Sequence, residues 1–175
     1  AAVTQSALQY AVSRGAFVAL SGGNRFEDGN RPGYPAVYAR DINGVMAVAA
    51  VGQDLNRAYY SSTGDFIEIA APGGNTRVGG AAGRIWQQTY RASGLSLNQL
   101  APRFDLLEDD AYQGTSMAAP HVAGLAALLH AQGIRNPATI EAAIRQFATD
   151  RGSAGRDNEY GFGLVDARAT LRGLG

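Results

Sequence analysis

Reactive side chains are sparse in this sequence, and one segment gathers them. Gly114-Thr115-Ser116-Met117-Ala118-Ala119-Pro120-His121-Val122-Ala123-Gly124 sets a serine, with glycine two residues before it, at the start of a strongly apolar run. If a helix begins there, its unpaired N–H groups and dipole favour a developing oxyanion beside the serine, and the glycine lets a substrate approach the backbone. The chemistry would be attack of the hydroxyl on a carbonyl. A serine before an apolar run is also what an ordinary helix cap looks like. A serine nucleophile needs a base, and the chain has two histidines, His121 and His130. On a helix His121 lies about 140° around from Ser116 and His130 about 21 Å along the axis, so neither can take the proton. They read as packing groups or a helix-end cation. The chain has no lysine, which excludes a Ser-Lys dyad, and no cysteine, which excludes thiolate nucleophiles, disulfides and Cys-ligated metals.

The elements that must position Ser116 are legible from hydrophobic pattern. Ala7, Leu8, Ala11 and Val12 recur at helical spacing ahead of Gly15, which predicts an amphipathic helix over 3–14. Ala16 to Leu20 is a continuous apolar run, as in a strand covered on both faces, and it leads into Ser21-Gly22-Gly23-Asn24. A polar turn at a strand's carboxyl end is where open α/β sheets bind ligands. Val45–Val51 and Phe66–Ala70 predict further strands. Met117–Ala131 is apolar nearly all round and predicts a buried central helix, and Asn136-Pro137 caps another that ends near Phe147. Gly161–Val165 reads as a short edge strand before a terminal helix from Asp166. Between them, 73–113 shows no clear period beyond a short element over 84–90, and is expected to be a long, exposed, irregular insertion. No internal repeat or domain boundary is visible.

Composition narrows the classes. The chain has 175 residues with 15 basic and 15 acidic side chains, so its net charge is zero, and 46% hydrophobic content suits a globular fold without a nucleic-acid-sized basic surface. The apolar run Val122–Leu129 is far short of a membrane span, which takes about 20 residues. The Gly22-Gly23 and Gly79-Gly80 pairs lack the spacing and the lysine of a phosphate loop.

The segment around Ser116 resembles, almost letter for letter, the signature around the catalytic serine of subtilisin-like serine peptidases. The resemblance runs along nearly the whole chain: Phe17 to Asn24, Tyr34-Pro35-Ala36, Val45 to Val51, Ser61-Ser62-Thr63-Gly64, Ala71-Pro72-Gly73 and Tyr160 to Ala167 follow in the family's order. It implies a three-layer α/β/α fold around a mainly parallel sheet, with Ser116 as nucleophile and the Asn24 amide joining the Ser116 N–H in an oxyanion hole. It also implies that Ser21, Gly22, Gly33 and Thr115 line the substrate cleft, with room for a large apolar side chain, and that the Tyr34–Pro35 bond is commonly cis. Glu68, aligned with an acid of some relatives, would join the Ala36 and Tyr38 carbonyls around a structural calcium or other hard cation. The chemistry itself needs no cofactor, the substrate is a protein or peptide, and the family's habit is secretion to the extracellular space or cell envelope.

In the family's chain order the catalytic Asp and His lie upstream of the matched blocks. The expectation is therefore the later half of one peptidase domain, with the amino-terminal half as its partner and no activity in this chain alone. Two other readings compete. Gly114-Thr115-Ser116-Met117-Ala118 nearly fits the nucleophile elbow of α/β-hydrolases, but the preceding 105–113 is acidic and polar rather than a buried strand, and no late histidine follows. A non-catalytic binding module or degenerate pseudopeptidase would look the same in this half; an Asp block and a His block upstream would distinguish the enzyme. Asp105, Glu108, Asp109 and Asp110 form an acidic cluster without EF-hand spacing and read as a solvated loop, as do Asp28, Asp41, Asp54 and Asp65 in their turns.

Overall fold

The computed structural model describes residues 2–91 and 103–173. Its centre is a parallel sheet of β1 (Val18–Ser21), β2 (Val45–Val51) and β3 (Ile67–Pro72) in the order β1-β2-β3. All seven residues of β2 are buried, which is why that strand reads as unbroken hydrophobicity instead of alternation. Met46, Val48 and Ala50 face one apolar cluster, Val45, Ala47, Ala49 and Val51 the other. The first cluster is closed by α3 (Thr115–Ala131) and α4 (Pro137–Gln146), the second by α1 (Ala2–Ser13) and a 3-10 turn at Ala36–Asp41. This is the expected three-layer arrangement.

Local chemistry sets the helix ends. Gly15 stops α1 at φ +88°, and Asn136, with Pro137 at the first helical position, caps α4 by accepting from the Thr139 N–H at 3.1 Å. The last helix, α5 (Ala167–Arg172), follows α2 (Thr76–Gly79) and α3–α4 in chain order and is capped by Asp166, which accepts from the Ala169 N–H at 2.7 Å.

Three expectations change. Within 73–113 the described residues are not irregular: β4 (Ile85–Arg91) and β5 (Arg103–Tyr112) form an antiparallel ribbon in register from Ile85 opposite Tyr112 to Tyr90 opposite Leu107. Residues 92–102 of that segment lie outside the described residues. Trp86, Tyr90, Leu107 and Ala111 share one face of the ribbon, but Gln88 and Asp109 interrupt it, so no sustained period-two signal appears in the sequence. Gly161–Val165 is too irregular to form a continuous strand, yet it lies along the edge of β3 as expected, with Phe162 N–H donating to Glu68, Ala70 N–H to Gly163 and Val165 N–H to Ala70. Finally, α3 is buried on one side only: Ala123, Gly124 and Ala127 are exposed, as is Leu128 at 52%. No described element covers that side.

Candidate active site

The site assembles where the carboxyl ends of the sheet meet the first turn of α3. β1 delivers the loop Ser21–Asn24, and Gly22 is needed there because a Cβ would lie 2.6 Å from Ile67 Cδ1 and 2.9 Å from the Val48 carbonyl. β3 delivers Gly73, whose carbonyl accepts from the Gly114 N–H at 2.9 Å, and a Cβ on Gly73 would strike Gly114 O at 2.7 Å. Tyr60, buried beneath, donates to the Gly73 and Gly74 carbonyls, and burial raises its pKa, so it stays a neutral donor.

Asn24 is held from one end. Its Oδ1 accepts from the Thr115 N–H at 3.0 Å and from Thr115 Oγ1 at 2.9 Å, while Thr115 Oγ1 accepts from the Gly23 N–H at 3.1 Å. With its oxygen so engaged, the amide turns Nδ2 the other way. A Cβ placed on Gly114 would lie 3.2 Å from Asn24 Nδ2 and 3.6 Å from the Ser116 backbone nitrogen. Two donors therefore flank one bare spot beside the α-carbon of Gly114, and neither has a hydrogen-bond partner among the described residues. Ser116 itself is exposed on the adjoining edge. Such a pair of fixed donors suits a negatively charged oxygen forming next to the serine.

Thr115 is the residue that sequence reasoning misplaces. The resemblance puts it against substrate, yet it is 1% exposed and its hydroxyl is fully used in orienting Asn24. Ser61 and Ser62, which stand out in the sequence only as part of a matched block, also serve as braces: Ser61 Oγ accepts from the Ala50 N–H and Ser62 Oγ from the Arg25 N–H, both at 3.0 Å. Small hydroxyl residues beside a glycine-rich turn are the one signal that could have marked them.

Ser21, Gly22 and Gly33 do come together with Asn24 around an open cavity of about 340 Å³, beside the cis Tyr34–Pro35 bond. The histidines stand apart, as expected. His121 Nδ1 lies 2.9 Å from the Met117 carbonyl of its own helix, and His130 faces a separate groove with Gly15–Phe17.

Glu68 does not join Ala36 and Tyr38. Its Oε1 accepts from Arg145 of α4 at 2.6 Å, and Arg145 also pairs with Glu141. Ala36 and Tyr38 pack in the other cluster, on the far face of the sheet from α4. The carboxylate expected to hold a cation is thus occupied by a guanidinium, and among the described residues no group of three or more His, Asp or Glu side chains is placed to hold a metal. No helix among the described residues is long and apolar enough to cross a membrane.

The three-layer α/β fold, with an exposed serine at the mouth of α3 and two unpartnered N–H donors beside it, is that of the subtilisin-like proteins. Residues 1–163 match the subtilase family, peptidase S8, and the chain belongs to that family. It is 37% identical to subtilisin BL of Lederbergia lenta over 98% of this chain and 52% of that protein. Thermitase of Thermoactinomyces vulgaris is 36% identical over 82% of this chain and 40% of its own. Among solved structures, a protease of Pseudoalteromonas arctica superimposes with a TM-score of 0.78 at 32% identity, covering all of this chain and 48% of that one. The chain therefore spans about half the length of subtilisin BL.

Proposed function

We propose that this chain supplies the nucleophile, the oxyanion hole and one side of the substrate cleft of a serine endopeptidase, and that the catalytic Asp and His come from an amino-terminal half preceding it. The convergence of Asn24 Nδ2 and the Ser116 N–H on one empty spot carries the reading, since neither donor has another use among the described residues. Ser116 Oγ attacks the carbonyl carbon of the scissile peptide bond while the incoming histidine takes its proton, and the carbonyl oxygen, now an anion, sits between the two donors. Collapse expels the amine, which takes the proton from histidine, and leaves an acyl-enzyme on Ser116 that water hydrolyses. The chemistry needs no cofactor. The apolar groove between β1 and α3, lined by Leu20, Ser116, Ala119 and Ala123, offers the place from which the histidine would approach. An extracellular setting is supported by the likeness to the minor extracellular protease Epr of Bacillus subtilis, 30% identical over 95% of this chain.

The test is Asn24→Ala in the protein that includes the upstream half. Removing one oxyanion donor costs about 10²–10³ in kcat, a figure that itself derives from this family, so that loss is expected with KM little changed. A loss mainly in KM would reassign Asn24 to substrate positioning.

A further inference from the structure

The cavity beside Asn24 carries a charge that the resemblance does not account for. The turn leaving Asn24 begins with Arg25, and the stretch returning to Gly33 carries Arg31; both line the cavity with Ser21, Gly33 and Ser62. No carboxylate lines it. Both arginines are exposed, and neither forms an ion pair among the described residues, whereas Arg40, Arg57, Arg77 and Arg145 all do. The acids nearest in sequence do not compensate: Glu27 is engaged with Arg77 through two hydrogen bonds of 2.6 and 2.9 Å, and Asp28 is not part of the lining. Two exposed arginines without an ion-pair partner in the lining of one cavity favour an anionic occupant, and guanidinium binds a carboxylate through paired, charge-assisted hydrogen bonds.

Resting on the peptidase reading above, we infer that Arg25 and Arg31 set the specificity of this cleft for an acidic side chain, Asp or Glu, at the residue preceding the scissile bond. Ser21 adds an exposed polar partner along the wall, and the bare Gly33 leaves depth for the side chain's methylenes. The preference is one of charge more than of shape, so salt weakens it, as it does other exposed electrostatics.

Two measurements on the protein containing the upstream half separate this inference from the one it rests on. With Ser116→Ala, the Kd of peptides differing only in Glu, Leu or Arg at that position is measured at low and high salt. Glu is expected to bind at least tenfold more tightly than Arg and more tightly than Leu, with the margin shrinking as salt rises. Arg25→Glu and Arg31→Glu together should reverse the Glu-to-Arg order. Equal binding of Glu and Arg, or Leu best at both salt concentrations, overturns the inference. The wild-type protein is then given the same peptides for hydrolysis. Cleavage fastest after Glu supports the inference as well; Glu-selective binding with no cleavage of any peptide upholds the specificity and sinks the peptidase reading alone.

Discussion

Thr115 shows how much of the site depends on a residue that never meets substrate. Its hydroxyl donates to Asn24 Oδ1 and accepts from Gly23, and it is buried where no water can replace it. Replacing it with valine keeps the shape but leaves the Asn24 amide held only by the residue-115 N–H, so Nδ2 can swing away from its proposed oxyanion position. A neutral hydrogen bond contributes about 0.5–1.5 kcal/mol, so kcat should fall by about two- to tenfold with KM nearly unchanged, and Thr115→Ser should restore most of it. A Thr115→Val enzyme with full kcat would show that Asn24 needs no such clamp. At this scale the sequence singles out Ser116 and Asn24 through the order of the matched blocks, since their neighbouring glycines alone read as an ordinary cap and turn, and it misplaces Thr115. A threonine flanking the nucleophile reads as cleft-lining until the strand loop that carries Gly23 and Asn24 is seen to close over it, a contact spanning more than ninety residues of chain.

Among the elements, β3 and α4 are joined by an unusual knot. Glu68 and Glu141 are 4% and 1% exposed and share the part-buried Arg145, so two buried carboxylates face one guanidinium. Glu141 also accepts from the Gly44 N–H, and Oε2 of Glu68 has no hydrogen-bond partner. Burial pushes both carboxyls up, Glu68 to about 8, and retaining one proton makes the triad neutral. Because the folded-state value of Glu68 lies above its ordinary value of 4.5, the native state binds the extra proton between those limits and the unfolded chain does not. Stability should then fall as pH rises from about 4.5 to 8 and level off above. Denaturant titrations of the domain across that range should show the decline, and Glu68→Gln should flatten it; a slope unchanged in the variant would place the proton elsewhere. The sequence hid this knot because Glu68 sits in an apolar strand pattern and aligned with a cation ligand, while its partner Arg145 lies 77 residues away. Helices α1, α3, α4 and α5 and the parallel strands were readable from helical apolar spacing or continuous apolar runs, with a cap beside α4, whereas the four-residue α2 inside 73–113 was not. The β4–β5 ribbon was not, since Gln88 and Asp109 break the apolar face formed by Trp86, Tyr90, Leu107 and Ala111.

At the scale of the whole molecule, the exposed side of α3 and the outer edge of β1 have the composition of a protein interior. Ala123, Ala127 and Leu128 face outward, and β1 pairs only with β2 among the described residues. The uniformly apolar character of the helix predicts burial on every side, but its own residues do not say what covers the side left open. We assign that cover to the same segment that brings the histidine to Ser116, so folding and catalysis depend on one docking event. The direct measurement is labelling with a fluorophosphonate, followed by mass spectrometry of the modified residue. The protein with its upstream half should acquire one adduct, on Ser116, within minutes, while the 175-residue chain alone should label at no enzyme-like rate. Stoichiometric labelling of Ser116 within minutes in the isolated chain, or no labelling in the protein with its upstream half, would contradict this assignment.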